Sequence, residues 1–140
     1  MTFVIDASVA LKWYVREELS DEAFRLLHSG EDLVAPELIV AEVTNIAWKK
    51  LVRNQISSGQ AAIIATAIGQ SDIRLIPSAT FNERALEMAQ ALNHSVYDCL
   101  YLACAENTVA AVITADRRFY GVAAEGGFAR NVVLLHTVEP

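Results

Sequence analysis

Thr2-Phe3-Val4-Ile5-Asp6-Ala7-Ser8 opens the chain with a short run of β-favouring apolar residues that ends in an acid. A helix-like stretch, residues 7–15, follows at once. A strand this apolar is buried on both faces, and a strand that turns directly into a helix is the repeating unit of a parallel α/β sheet.

The same alternation continues along the chain. Ser20 is placed to cap a second helix that carries Ala23, Leu26 and Leu27 on one face, with Gly30 as its stop. Leu33-Val34-Ala35 reads as a strand, and Pro36 as the start of a helix running to about residue 53. Ser57-Ser58-Gly59-Gln60 has the spacing of a capping box and opens a helix to about residue 68. Ile73-Arg74-Leu75-Ile76 is a strand closed by Pro77, and Thr80-Phe81-Asn82-Glu83 is a second capping box. Ser95 begins a helix over residues 96–106; Ala111-Val112-Ile113-Thr114 and residues 132–135 are the last strands. The pattern predicts a three-layer α/β/α domain with a central, mainly parallel sheet of four to five short strands, filling residues 1–140 as a single domain.

Composition agrees with that architecture. The 140 residues are 54% hydrophobic and 20% charged, enough for a real core without disulfides or structural metal. Mean hydropathy is +0.30, yet no stretch reaches the roughly 18 apolar residues of a membrane span, so the surplus is expected in a core and a subunit interface. Trp13, Tyr14 and Trp48 are expected to serve that packing, in the core or at a dimer interface. No basic segment precedes the first apolar run, so no signal peptide is expected and a cytoplasmic location is. Cys99 and Cys104 lie on different faces of one helix and are expected as small core residues. His28, His94 and His136 show no metal-ligand spacing. The net charge of −6 excludes bulk attraction to nucleic acid; any such substrate needs a local reversal of sign.

In parallel α/β sheets ligands bind beyond the carboxyl ends of the strands. Asp6 ends the first strand there, and Asp116 follows the strand ending at Thr114. Glu42 and Asp98 lie near the starts of helices, each inside apolar sequence. Each acid also has a plainer use: Asp6 as a helix cap, Asp98 as the last member of a capping box, Asp116 as the start of a turn, Glu42 as a surface acid. Four such coincidences together are a weaker explanation than a shared site. Clustered carboxylates repel, and a hard cation removes the repulsion; Mg²⁺ and Mn²⁺ favour such oxygens and can serve phosphodiester hydrolysis.

The segments Val4-Ile5-Asp6-Ala7-Ser8, Pro36-Glu37-Leu38 with Glu42, Tyr97-Asp98-Cys99-Leu100-Tyr101-Leu102-Ala103 and Ile113-Thr114-Ala115-Asp116 resemble, in this order, the PIN domain, and most of all its VapC-type toxins of toxin–antitoxin pairs. The resemblance spans essentially the whole chain. It implies a Mg²⁺- or Mn²⁺-dependent endoribonuclease, a homodimer, and a small antitoxin partner. It also implies that Asp6, Glu42, Asp98 and Asp116 form the catalytic, metal-binding site, with Ser8 and Thr114 orienting carboxylate or water, and Asn45 within reach. Lys49 and Arg53 share the helix face of Glu42 to within about 20°, and Arg117 and Arg118 follow Asp116; these are the candidate RNA contacts.

Other chemistries fail on single residues. A haloacid dehalogenase-type phosphatase needs an acid where Ser8 stands; a nucleotide-binding loop needs glycines after the first strand; a serine hydrolase needs a glycine-flanked serine. Two readings stand beside the toxin: a PIN-like domain that binds RNA or protein without cutting, and a PIN nuclease of RNA processing.

Overall fold

The computed structural model describes residues 1–138. Five strands, β1 (Thr2–Ile5), β2 (Asp32–Pro36), β3 (Arg74–Ile76), β4 (Ala111–Thr114) and β5 (Val132–Leu134), form one sheet in the order β3-β2-β1-β4-β5. Every neighbouring pair is parallel. The opening strand is therefore central: Val4 pairs with Val34 on one side and Val112 on the other. Val4, Ile5, Val34, Ala35, Val112 and Ile113 are completely buried, which is why these strands carry no polar alternation.

Seven α-helices cover the sheet: α1 (Ala7–Ala10), α2 (Ser20–Leu27), α3 (Leu38–Val52), α4 (Ser58–Gly69), α5 (Asn82–Leu92), α6 (Val96–Asn107) and α7 (Arg117–Ala123). The α6 helix lies over β4, β1 and β2, with α5 packed on its outside; α3 packs on β2, with α4 outside it; α7 packs on β4 and β5. Right-handed crossovers put the helices following β1 and β2 on one face and those following β3 and β4 on the other. Residues 99–105 of α6 are all buried, so this helix is apolar all round and forms the middle of its layer. Cys99 and Cys104 are both free and fully buried there.

Helix starts depart from the sequence expectations at three points. Pro36 is the last residue of β2, opposite Ile76, and α3 begins at Leu38. Its first amide is capped from a distance, Leu38 N–H donating to Ser78 Oγ at 2.9 Å. Thr80 caps nothing: it sits in a 3₁₀ turn, Ser78–Phe81, and α5 starts without a side-chain cap behind the buried ring of Phe81. Ser20 is the first residue of α2 and ties the preceding loop instead, accepting from Glu17 N–H and donating to Val15 C=O. The capping box at Ser57 and Gln60 forms in full. Trp13 is core, its indole N–H on Ala23 C=O at 2.9 Å, whereas Trp48 is 56% exposed on α3.

Ser78→Ala should lower stability by about 1 kcal/mol, whereas Thr80→Ala at its exposed position should change it by less than about 0.5 kcal/mol. Urea midpoints of the two variants measure this; equal effects would deny Ser78 its capping role.

Candidate functional site

Asp6 stands at the carboxyl end of the central strand, where β1 and β4 diverge into helices on their way to different parts of the fold. Its amide still joins the ladder, donating to Ile113 C=O, and its carboxylate turns onto the first turn of α1. Oδ1 accepts from Ser8 Oγ at 2.6 Å and from Val9 N–H at 3.2 Å. Ser8 Oγ in turn accepts from Ala115 N–H at 2.9 Å and lies 3.5 Å from Thr114 Oγ1. One hydroxyl thus ties the end of β1 to the end of β4.

Glu42, one turn into α3, and Asp98, in the first turn of α6, approach from the helices. The buried Tyr101, one turn after Asp98, donates its hydroxyl to Glu42 Oε1 at 2.7 Å across the two helices. Burial pushes the Asp6 carboxyl up to about 7; the hydroxyls of Ser8 and Thr114 and the Val9 amide offset part of this, and the charge of Asp98 adds to it. Burial also raises Glu42, against the pull of Tyr101 and with a further push from Asp98. The Tyr101 hydroxyl is raised well above its ordinary value by burial and then by Glu42, Asp6 and Asp98. The charges of Glu42, Asp6 and Asp98 thus all act on this buried phenol, and no basic group acts on Asp6 or Glu42.

Asp116 is placed differently. It is exposed, and its Oδ1 accepts from the amides of Arg118 and Phe119, capping α7; its own amide donates to Thr114 Oγ1. Asn45 is exposed and lines, with Leu38, Ala41, Glu42 and Tyr97, an open groove of about 290 Å³. Lys49 and Arg53 continue exposed along and beyond the end of the same helix. Arg117 borders a smaller hollow of about 100 Å³ with Lys12, Thr114 and His136, and Arg118 is exposed beside it in sequence.

Two residues of the site escaped the reading of the sequence. Tyr101 meets Glu42 from 59 positions away, which no local pattern reveals. His94 had a signal: it lies four residues before Asp98, a spacing that brings side chains together near a helix start, and its Nε2 is 2.6 Å from Asp98 Oδ2.

The donor set suits a hard divalent ion: carboxylate oxygens, an uncompensated buried charge, and no thiol or imidazole competing on Asp6 or Glu42. Among the described residues no three acids, histidines or cysteines are drawn close enough to cage an ion by themselves. Any ion held there would draw its remaining ligands from water or phosphate oxygens.

The raised Asp6 carboxyl makes a stability prediction for the metal-free protein. The folded state binds this proton more tightly than the unfolded state, whose Asp titrates near 3.8. Charged Asp6 therefore destabilises the fold above about pH 7, and the penalty fades as pH falls toward about 4. In EDTA, Asp6→Asn should be more stable than wild type at pH 8, by on the order of a few kcal/mol, and the gap should close by pH 4–5. Urea denaturation at both pH values decides it; parallel pH profiles would contradict the buried charge.

Comparison with known proteins places this geometry in a family. The PIN domain family model matches residues 3–125. Ribonuclease VapC3 of Pyrobaculum aerophilum is 28% identical over 120 residues, covering 84% of this chain and 92% of that protein. In structure the chain resembles VapC20 of Mycobacterium tuberculosis, a toxin that cleaves the sarcin–ricin loop, with a TM-score of 0.69 at 19% identity over 99% of both chains. It also resembles a chain of a toxin–antitoxin complex from Klebsiella pneumoniae, with a TM-score of 0.68 at 17% identity over 96% of this chain and 98% of that one. The chain is a member of the PIN domain family.

Proposed function

We propose that the protein is a metal-dependent endoribonuclease, the toxin of a toxin–antitoxin pair, that holds Mg²⁺ or Mn²⁺ with Asp6, Glu42 and Asp98. The observation that carries this is the buried Asp6 at the end of the central strand, pushed up to about 7, with the charge of Asp98 acting on it and on Glu42, which the buried Tyr101 holds at 2.7 Å. The ribonuclease name of the curated relative supports the substrate, and the Klebsiella complex supports a small antitoxin as partner. Exposed Trp48, Val52 and Ile63 on α3 and α4 supply apolar surface for a homodimer. No described helix is long and apolar enough to cross a membrane, in keeping with a cytoplasmic enzyme.

Bound there, the cation supplies an acidified water and a counter-charge for the phosphoryl oxygens. The chain's own residues do the positioning. Ser8 fixes the Asp6 carboxylate at Oδ1, Tyr101 fixes Glu42, and Thr114 holds the turn that presents Asp116. Lys49 and Arg53 on one side, Arg117 and Arg118 on the other, offer phosphate contacts that reverse the overall charge locally. Asp116 joins the site through its charge only if its carboxylate does more than cap α7.

Cleavage of a structured RNA pool in Mg²⁺, Mn²⁺ or EDTA tests the reading, with any co-purified inhibitor removed by denaturation and refolding. Wild type should cut only with metal, and Asp6→Asn and Asp98→Asn should lower the rate by more than the 10–100-fold typical of outer partners of a metal site. Variants that cut as well as wild type would turn the acids into structural caps and leave a binding domain. Asp116 separates in the same assay, because Asn caps a helix as well as Asp does and Ala does not. Loss of cutting in Asp116→Asn at unchanged stability assigns its charge to catalysis; cutting retained there, with Asp116→Ala less stable by about 1 kcal/mol, leaves it a cap.

A further inference from the structure

His94 is more than a surface histidine. Its side chain is only 12% exposed, and its ring stacks on Phe119 with centroids 5.8 Å apart and planes 12° from parallel. Phe119 is itself buried, and its amide is held by the Asp116 carboxylate at the start of α7. The imidazole is thus clamped by a helix other than its neighbour α6, with Nε2 aimed at Asp98 Oδ2 at 2.6 Å. An ionised carboxylate only accepts, so Nε2 carries the proton and donates it.

We propose that His94 is the positioning residue of Asp98: the stack on Phe119 fixes the imidazole, and its Nε2–H fixes the plane of the carboxylate that faces the cation. The inference rests on the reading of Asp98 as a metal ligand. A ligating carboxylate free to turn about its side-chain bonds spends binding energy on being ordered; one already held by a rigid donor does not, and outer partners of this kind typically contribute about 10–100-fold in metal affinity. The arrangement also gives Asp116 an indirect route to the site, because its cap sets where Phe119 begins its turn.

Two substitutions separate the hydrogen bond from the packing. His94→Phe keeps an aromatic ring against Phe119 and removes the donor; His94→Gln restores an N–H at similar reach. Mn²⁺ binding to the purified protein, followed by the electron paramagnetic resonance of the free ion, should weaken about 10–100-fold in His94→Phe and recover most of the way in His94→Gln. Melting temperature should stay near wild type in His94→Phe, which a merely structural histidine would not predict together with lost Mn²⁺ affinity. Wild-type affinity in His94→Phe would overturn the proposal while Asp98→Asn, binding poorly, upheld the metal site. A wild-type protein that binds no Mn²⁺ would sink the metal reading and this inference with it.

Discussion

A carboxylate buried at the end of the central strand is the constraint around which the rest of the molecule is organised. Asp6 is almost entirely shielded from solvent where it stands, and the hydroxyls of Ser8 and Thr114 with the Val9 amide do not replace the lost water. A residue that served only to cap α1 would be better placed at the surface, as Asp116 is for α7. The fold instead brings the charge of Asp98 to bear on it and sets Glu42 against Tyr101, each acid from a different crossover. Burial of the charged carboxylate is unfavourable in itself, and on the proposed function a cation in that space would offset it. The apolar layers of α6 and the central strands surround the point at which this cost is concentrated.

The order of the sheet explains why acids so far apart in the chain converge. With β1 in the middle, β2 and β4 flank it, and the chain leaves toward one edge before returning across to the other. The crevice where the direction reverses opens beside the carboxyl end of β1. Asp6 lies at that crevice by position alone. Ser8 then closes it from within, joining the two strands that diverge there through one oxygen that both donates and accepts.

Much of this was legible in the residues themselves. Short β-branched runs such as Phe3-Val4-Ile5 and Ala111-Val112-Ile113, set between helical stretches, announce strands buried on both faces, and the parallel sheet follows. Asp6, Glu42 and Asp98 were legible for the same reason: a charge inside apolar sequence needs a partner. What stayed hidden depends on distant residues. The cap of α3 comes from Ser78, 40 positions away, so Pro36 looked like a helix start; Thr80 had the right spacing but lost to the packing of Phe81. Tyr101 takes its role from Glu42, 59 positions away, which its own surroundings in sequence do not show. The role of His94 lies in its spacing to Asp98 one turn on, not in any spacing among the histidines.

The central position of β1 also has a consequence for the order of events during synthesis. During synthesis β1 can pair with β2 early, but its other edge stays open until residues 111–114 have been made. The Ser8 bridge needs the amide of Ala115, and the ring that clamps His94 comes later still, at Phe119. A nascent chain therefore carries Asp6 for most of its translation without the groups that finish its surroundings.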